Sequence, residues 1–185
     1  EEYPGVEGVR DVRAGGAWLA ADAVASRLAV LLNRADTSPL ADDAVVSRGV
    51  LPLEAVAGRS PGETPTTRGF NLLEVSGSAS RVLSWDGERL RLEELAPGVH
   101  MIAHDDVDDP RTARITHWLG EFAELPDAAG EAWWQPWLAG GERSAEAAPG
   151  DGRGRIRGRG HSGIAALSRV VCVAEIGGAA GGDVR

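Results

Sequence analysis

A few residues in this chain have types and spacings that could do chemistry. His100, Met101 and His104 lie close together, and His and Met are the familiar axial ligands of haem iron. On an extended strand, positions 100 and 104 share a face while Met101 points the other way, which works against a common ligand. His104 also opens an acidic run with Asp105 and Asp106, whose oxygens suit a hard cation. Acidic pairs ahead of a helix more often serve as caps, so no metal site is expected. Asn33 closes the apolar run that includes Leu31 and Leu32, where an amide can point into a cleft. Asn71, between Phe70 and Leu72, reads more readily as a tie between backbone segments. The single Cys172 lies in an apolar run, excludes an internal disulfide framework and favours a reducing, cytoplasmic setting.

Charge narrows the partners. The chain carries 19 basic and 28 acidic residues, a formal net charge of −9, and every basic residue is arginine. With its alanine and glycine content, that usage reads as GC-rich coding of bacterial type. A net anion is repelled by nucleic acid and by anionic membranes, so neither is expected as a general partner. The Arg-Gly alternation over 153–159 is similar to RNA-binding tails, but in so acidic a chain it reads as a solvated linker. No apolar run approaches the roughly 18 residues that a membrane-spanning helix needs. A length of 185 residues fits one domain, 1–185, large enough to bury a core without disulfide or metal support.

The elements that must position these groups are predicted from hydrophobic period and turn chemistry. Residues 1–14 read as an irregular lead-in. Residues 17–21 and 27–33 are short apolar runs around a polar turn and predict a β-hairpin. Over 47–57, Val50, Leu53 and Ala57 have helical spacing, with Pro52 confined to a first turn and Ser47 a candidate cap. The clearest stretch predicts an antiparallel meander with strands at 70–75, 81–85, 89–95 and 99–103, turning at Asp86-Gly87 and Pro97-Gly98. Asp109 and Pro110 predict a helix start, with Ile115, Trp118, Leu119 and Phe122 as its buried stripe. Trp133, Trp134 and Trp137 mark a second amphipathic segment, 139–160 a disordered loop, and 167–176 a last strand.

Several motifs in this order resemble the NRDE-motif, or transport and Golgi organisation, family. They are Gly15-Gly16-Ala17-Trp18-Leu19-Ala20, Leu31-Leu32-Asn33, Ser47-Arg48-Gly49, Gly69-Phe70-Asn71-Leu72, the Pro97-Gly98 step and Asp109-Pro110-Arg111. The resemblance covers residues 10–119. It implies an α+β fold of the N-terminal-nucleophile (Ntn) hydrolase type, an αββα sandwich with mainly antiparallel sheets. The family's nucleophilic cysteine and its Asn-Arg-Asp-Glu run correspond to positions upstream of Glu1, so the domain is expected to be incomplete at its N-terminus. An exposed apolar groove beside the Trp18 strand is the corresponding structural expectation.

Family members are implicated in haem trafficking and in acyl-thioester metabolism. The resemblance therefore implies binding of a small apolar metabolite, and alternatively a cysteine amidohydrolase whose nucleophile lies upstream. It places Asn33, Asn71 and His104 around one cleft, with Trp18 and Phe70 as its apolar wall. Departures from the family pattern are His104, where an Asn is usual, and Ala165, Ala166, Leu167 and Ser168 in place of a late Arg-Ser-Ser-Thr motif. Removing a single oxyanion donor costs about 10²–10³ in rate, which weighs against hydrolysis. No cofactor and no oligomeric state follow from the sequence.

Overall fold

The computed structural model describes residues 3–10, 15–35, 37–77, 79–125 and 135–136. The Trp133, Trp134 and Trp137 segment, apart from Gln135 and Pro136, lies outside them. So do the loop at 139–160, the Arg-Gly stretch and the strand at 167–176 with Cys172.

Strand alternation sets the architecture. Six strands run in sequence order through one antiparallel sheet: β1 (Val6–Arg10), β2 (Ala17–Asp22), β3 (Arg27–Asn33), β4 (Phe70–Ser76), β5 (Ala79–Trp85) and β6 (Leu90–Glu94). The centre is β3 on β4, with Leu31 opposite Leu72 and Asn33 opposite Phe70. On β5, Leu83 faces Leu72 and Trp85 faces Phe70. Because side chains alternate between faces, these residues share one side of the sheet, while Val30, Asn71, Val82 and Ser84 take the other.

The first face holds the core. Ala20, Ala29, Leu31, Phe70, Leu72, Leu83 and Trp85 pack with Leu51 and Val56 of a short helix, α1 (Leu51–Val56). A 3₁₀ turn, Arg48–Val50, leads into α1, and Ser47 accepts a hydrogen bond from the Gly49 amide at its head. Pro52 sits in the first turn of α1, where its missing N–H costs nothing. One contact demands glycine on both sides. A Cβ on Gly49 would lie 2.6 Å from the Gly16 Cα, and one on Gly16 would lie 2.3 Å from the Gly49 Cα. The turn before α1 therefore rests directly on the backbone that opens β2.

The α+β class and the hairpin of β2 and β3 are as expected, and so are the first three strands of the meander. Three expectations are corrected. Residues 6–10 form β1, because Val6 to Val9 pair with β2 despite a sequence with no clear alternation. Residues 99–103 form no strand: Asp108 ties His100 and Met101 into a loop, its carboxylate accepting from the Met101 amide at 2.7 Å. The later helix, α2 (Ala113–Ala123), starts beyond Pro110, since Asp109 instead closes a local turn onto the Arg111 amide at 2.9 Å. Its Ile115 and Trp118 are buried as predicted, and Leu119 and Phe122 are half-buried. Among the described residues no helix is long and apolar enough to cross a membrane.

The Gly16–Gly49 crossing makes a sharp prediction. Gly49→Ala should cost about 1–3 kcal/mol, because backbone cannot yield to the added methyl as a side chain would. Gly62→Ala, where a Cβ meets nothing within 4 Å, is the control and should be near neutral. Urea unfolding checks this through a lowered midpoint at unchanged slope.

Candidate functional site

Two polar regions flank the sheet, one on each face. On the core face, an open cleft of about 470 Å³ lies beside β2 and β3. Its apolar lining includes Trp18 and Leu31, and its rim carries Arg48, Arg68, Ser47 and Asp42. The wall is stitched in place by backbone: the Val46 amide donates to the Thr66 carbonyl at 2.9 Å, and Val46 bridges Thr67. Arg48 donates to the Gly69 carbonyl at 2.5 Å, which anchors its guanidinium to the start of β4. Arg68 pairs with the Asp42 carboxylate. Chemically, the cleft offers an aromatic and aliphatic wall beside two guanidinium groups, one of them paired with the Asp42 carboxylate. That combination suits an apolar molecule carrying an anionic group.

The opposite face carries a buried hydrogen-bond network centred on Asn71, which is wholly inaccessible to solvent. Its amide oxygen accepts from the Ser84 hydroxyl at 2.7 Å and from Arg34 at 3.2 Å. Its amide nitrogen donates to the Asp105 carbonyl at 2.8 Å. Arg34, with a side chain only 8% exposed, also meets Asp106 at 2.7 Å, and Arg91 of β6 meets the same carboxylate at 2.8 Å. The Ala35 amide donates to the His104 carbonyl at 3.1 Å. Asn71 thus fastens the loop before α2 onto the sheet, the backbone-tying role that its sequence context suggested.

One cleft bordered by Asn33, Asn71 and His104 is not what the register gives. Asn33 pairs with Phe70 and Asn71 with Leu32, so the two amides project from opposite faces. Phe70 is fully buried in the core and forms no ligand wall, whereas Trp18 does line the cleft. His104 is half exposed in the loop on the Asn71 side, with its Nε2 3.3 Å from the Asp105 carboxylate. Among the described residues no group of three or more His, Cys, Asp or Glu side chains is placed to hold a metal ion. Asn33 stays on the core face, its Oδ1 buried and without a hydrogen-bond partner among the described residues.

Nothing in the sequence marked Arg34, Arg68 or Asp42 as site residues, and Arg48 stood out only within the Ser47-Arg48-Gly49 motif. A weak signal existed for two of them: Arg34 directly follows an apolar strand, and Arg68 directly precedes one. Comparison with family models, with curated proteins and with solved structures finds no match for this chain.

His100 closes the loop in a charge-dependent way. Its Nδ1 lies 2.7 Å from the Asp108 carboxylate and its Nε2 2.8 Å from the Ala96 carbonyl. Both partners are acceptors, so only the imidazolium satisfies both. Partial burial opposes that charge, but the Asp108 and Ala96 bonds outweigh it and Glu93 assists, holding the pKa above its ordinary value. A raised folded-state pKa stabilises the fold in full below the unfolded-state pKa. That contribution is lost as pH rises through the raised value.

Two predictions follow from these contacts. Asn71→Ala should cost about 2 kcal/mol or more, since it strands buried partners on two sides, whereas Asn33→Ala should be near neutral; denaturant titration compares them. The stability difference between wild type and His100→Gln should shrink as pH rises past the ordinary imidazole range, checked by thermal melts across a pH series. A difference that stays constant or grows with pH would contradict the assignment.

Proposed function

We propose that this chain is a binding domain for a small apolar metabolite with an anionic group, of the haem or acyl-thioester type, on an NRDE-family scaffold of the Ntn-hydrolase kind. The observation that carries the reading is the cleft itself, where Trp18 and Leu31 stand beside Arg48 and Arg68. Its volume, about 470 Å³, falls in the roughly 300–1,000 Å³ span of small-molecule sites. Apolar contact supplies most of the affinity at such a site, and a few fixed polar groups supply orientation. The anchored Arg48 is one such group, held by the Gly69 carbonyl before any ligand arrives. The cleft also lies beside the Trp18 strand, where the family resemblance leads one to look. Trafficking, rather than turnover, is the role this lining suits, since it contributes wall and charge.

Calorimetric titration with haemin and with dodecanoyl coenzyme A tests the proposal. At least one should bind the wild type saturably at one site. Trp18→Ala should weaken it about tenfold, the loss expected for a large apolar contact. Arg68→Gln should weaken it less, and His104→Ala, in a loop that does not line the cleft, should leave it unchanged. Equal binding by wild type, Trp18→Ala and Arg68→Gln, or none by the wild type, removes the cleft as the site.

A further inference from the structure

We propose that Asp42 is a built-in competitor at this cleft, and that the ligand group whose place it takes is a carboxylate. The inference rests on the reading of the cleft as a binding site. Asp42 lines the cleft, and its carboxylate accepts a hydrogen bond from the Arg68 guanidinium. The two partners are held very differently. The Arg68 side chain is 30% exposed, whereas that of Asp42 is 98% exposed, on a 3₁₀ turn (Asp42–Ala44) with no buried residue. The cation is the more enclosed member of the pair and the carboxylate the more exposed one, free to turn into solvent. Rotating the Asp42 side chain away disturbs no packing.

Exchange is chemically like for like. A carboxylate arriving on an apolar tail accepts the same hydrogen bond from Arg68 that Asp42 accepts, and its tail covers the half-buried Trp18, which Asp42 does not do. Exposed ion pairs contribute little to stability, so the displaced pair is a weak opponent. An opponent it is nonetheless, because one guanidinium edge cannot serve both carboxylates. Neutral ligands do not contend with Asp42. The device thus sets a threshold that favours ligands with enough apolar body to outweigh the internal anion.

The probes are dodecanoate and dodecan-1-ol, titrated calorimetrically against wild type, Asp42→Asn and Asp43→Asn. Asp43 shares the exposed turn and its charge but does not line the cleft, so it controls for net charge. Dodecanoate should bind Asp42→Asn about two- to fivefold more tightly than wild type, the size expected for release of an exposed pair. Dodecan-1-ol should bind both alike, and Asp43→Asn should resemble wild type with both probes. Raising the salt concentration should narrow the dodecanoate difference. Equal dodecanoate affinity for wild type and Asp42→Asn, or an equal gain in Asp43→Asn, overturns the competition. Failure of dodecanoate to bind either protein overturns the carboxylate assignment. Failure of the cleft itself is read separately, from the haemin and dodecanoyl coenzyme A titrations.

Discussion

The pairing of β3 with β4 is the constraint on which the rest of the structure depends. Seven consecutive pairs, from Arg27 with Ser76 to Asn33 with Phe70, hold the two central strands in one register. That register puts Leu31, Phe70 and Leu72 under α1 and sends Asn71 to the opposite face. A slip of one residue would bury the amide in the apolar core and turn Phe70 and Leu72 onto the buried face where Asn71 and Ser84 make their hydrogen bonds. Burial of Leu31, Phe70 and Leu72 on one side and satisfaction of Asn71 on the other reinforce the same alignment.

From that register the two faces acquire different work. The core face ends in a cleft because the turn before α1 is pinned to β2 at the Gly16–Gly49 crossing, and the Val46 segment is sewn to Thr66. The opposite face buries Val30 and Val82 beside a polar network of Asn71, Ser84, Arg34 and Asp106. A network of this kind is favourable only when its members are satisfied. In Asn71 both ends of the amide are. The loop it secures carries His104, which is why that residue sits with the fastening and away from the cleft.

Competition between side-chain and backbone hydrogen bonds decides the stretch between β6 and α2. Turn residues and apolar spacing there suit a strand followed by a helix from Pro110. Instead, Asp108 captures the Met101 amide and the His100 ring, and Asp109 captures the Arg111 amide. Short acidic side chains offer the backbone an alternative to ladder and helix bonds, and here they take it. Local pattern cannot say which of two adjacent aspartates will bond to what.

The sequence by itself determined the mixed α+β class, the β2–β3 hairpin, the strands around Asp86-Gly87 and the buried stripe of α2 at Ile115 and Trp118. Those features arise from period and turn chemistry within a few residues, which a sequence displays directly. It also marked Asn71 as a tie between backbone segments, whereas the family resemblance put Asn33 and Asn71 in one cleft, because proximity on paired strands does not reveal which face each side chain takes. Tertiary structure alone decided that question through the register. It alone brought Arg48, Arg68 and Asp42 together, from loops separated by 26 residues in the case of the Arg68–Asp42 pair. Charged residues in loops carry no period. Only the backbone contacts that fold those loops onto β2 and β4 bring the charges to one cleft.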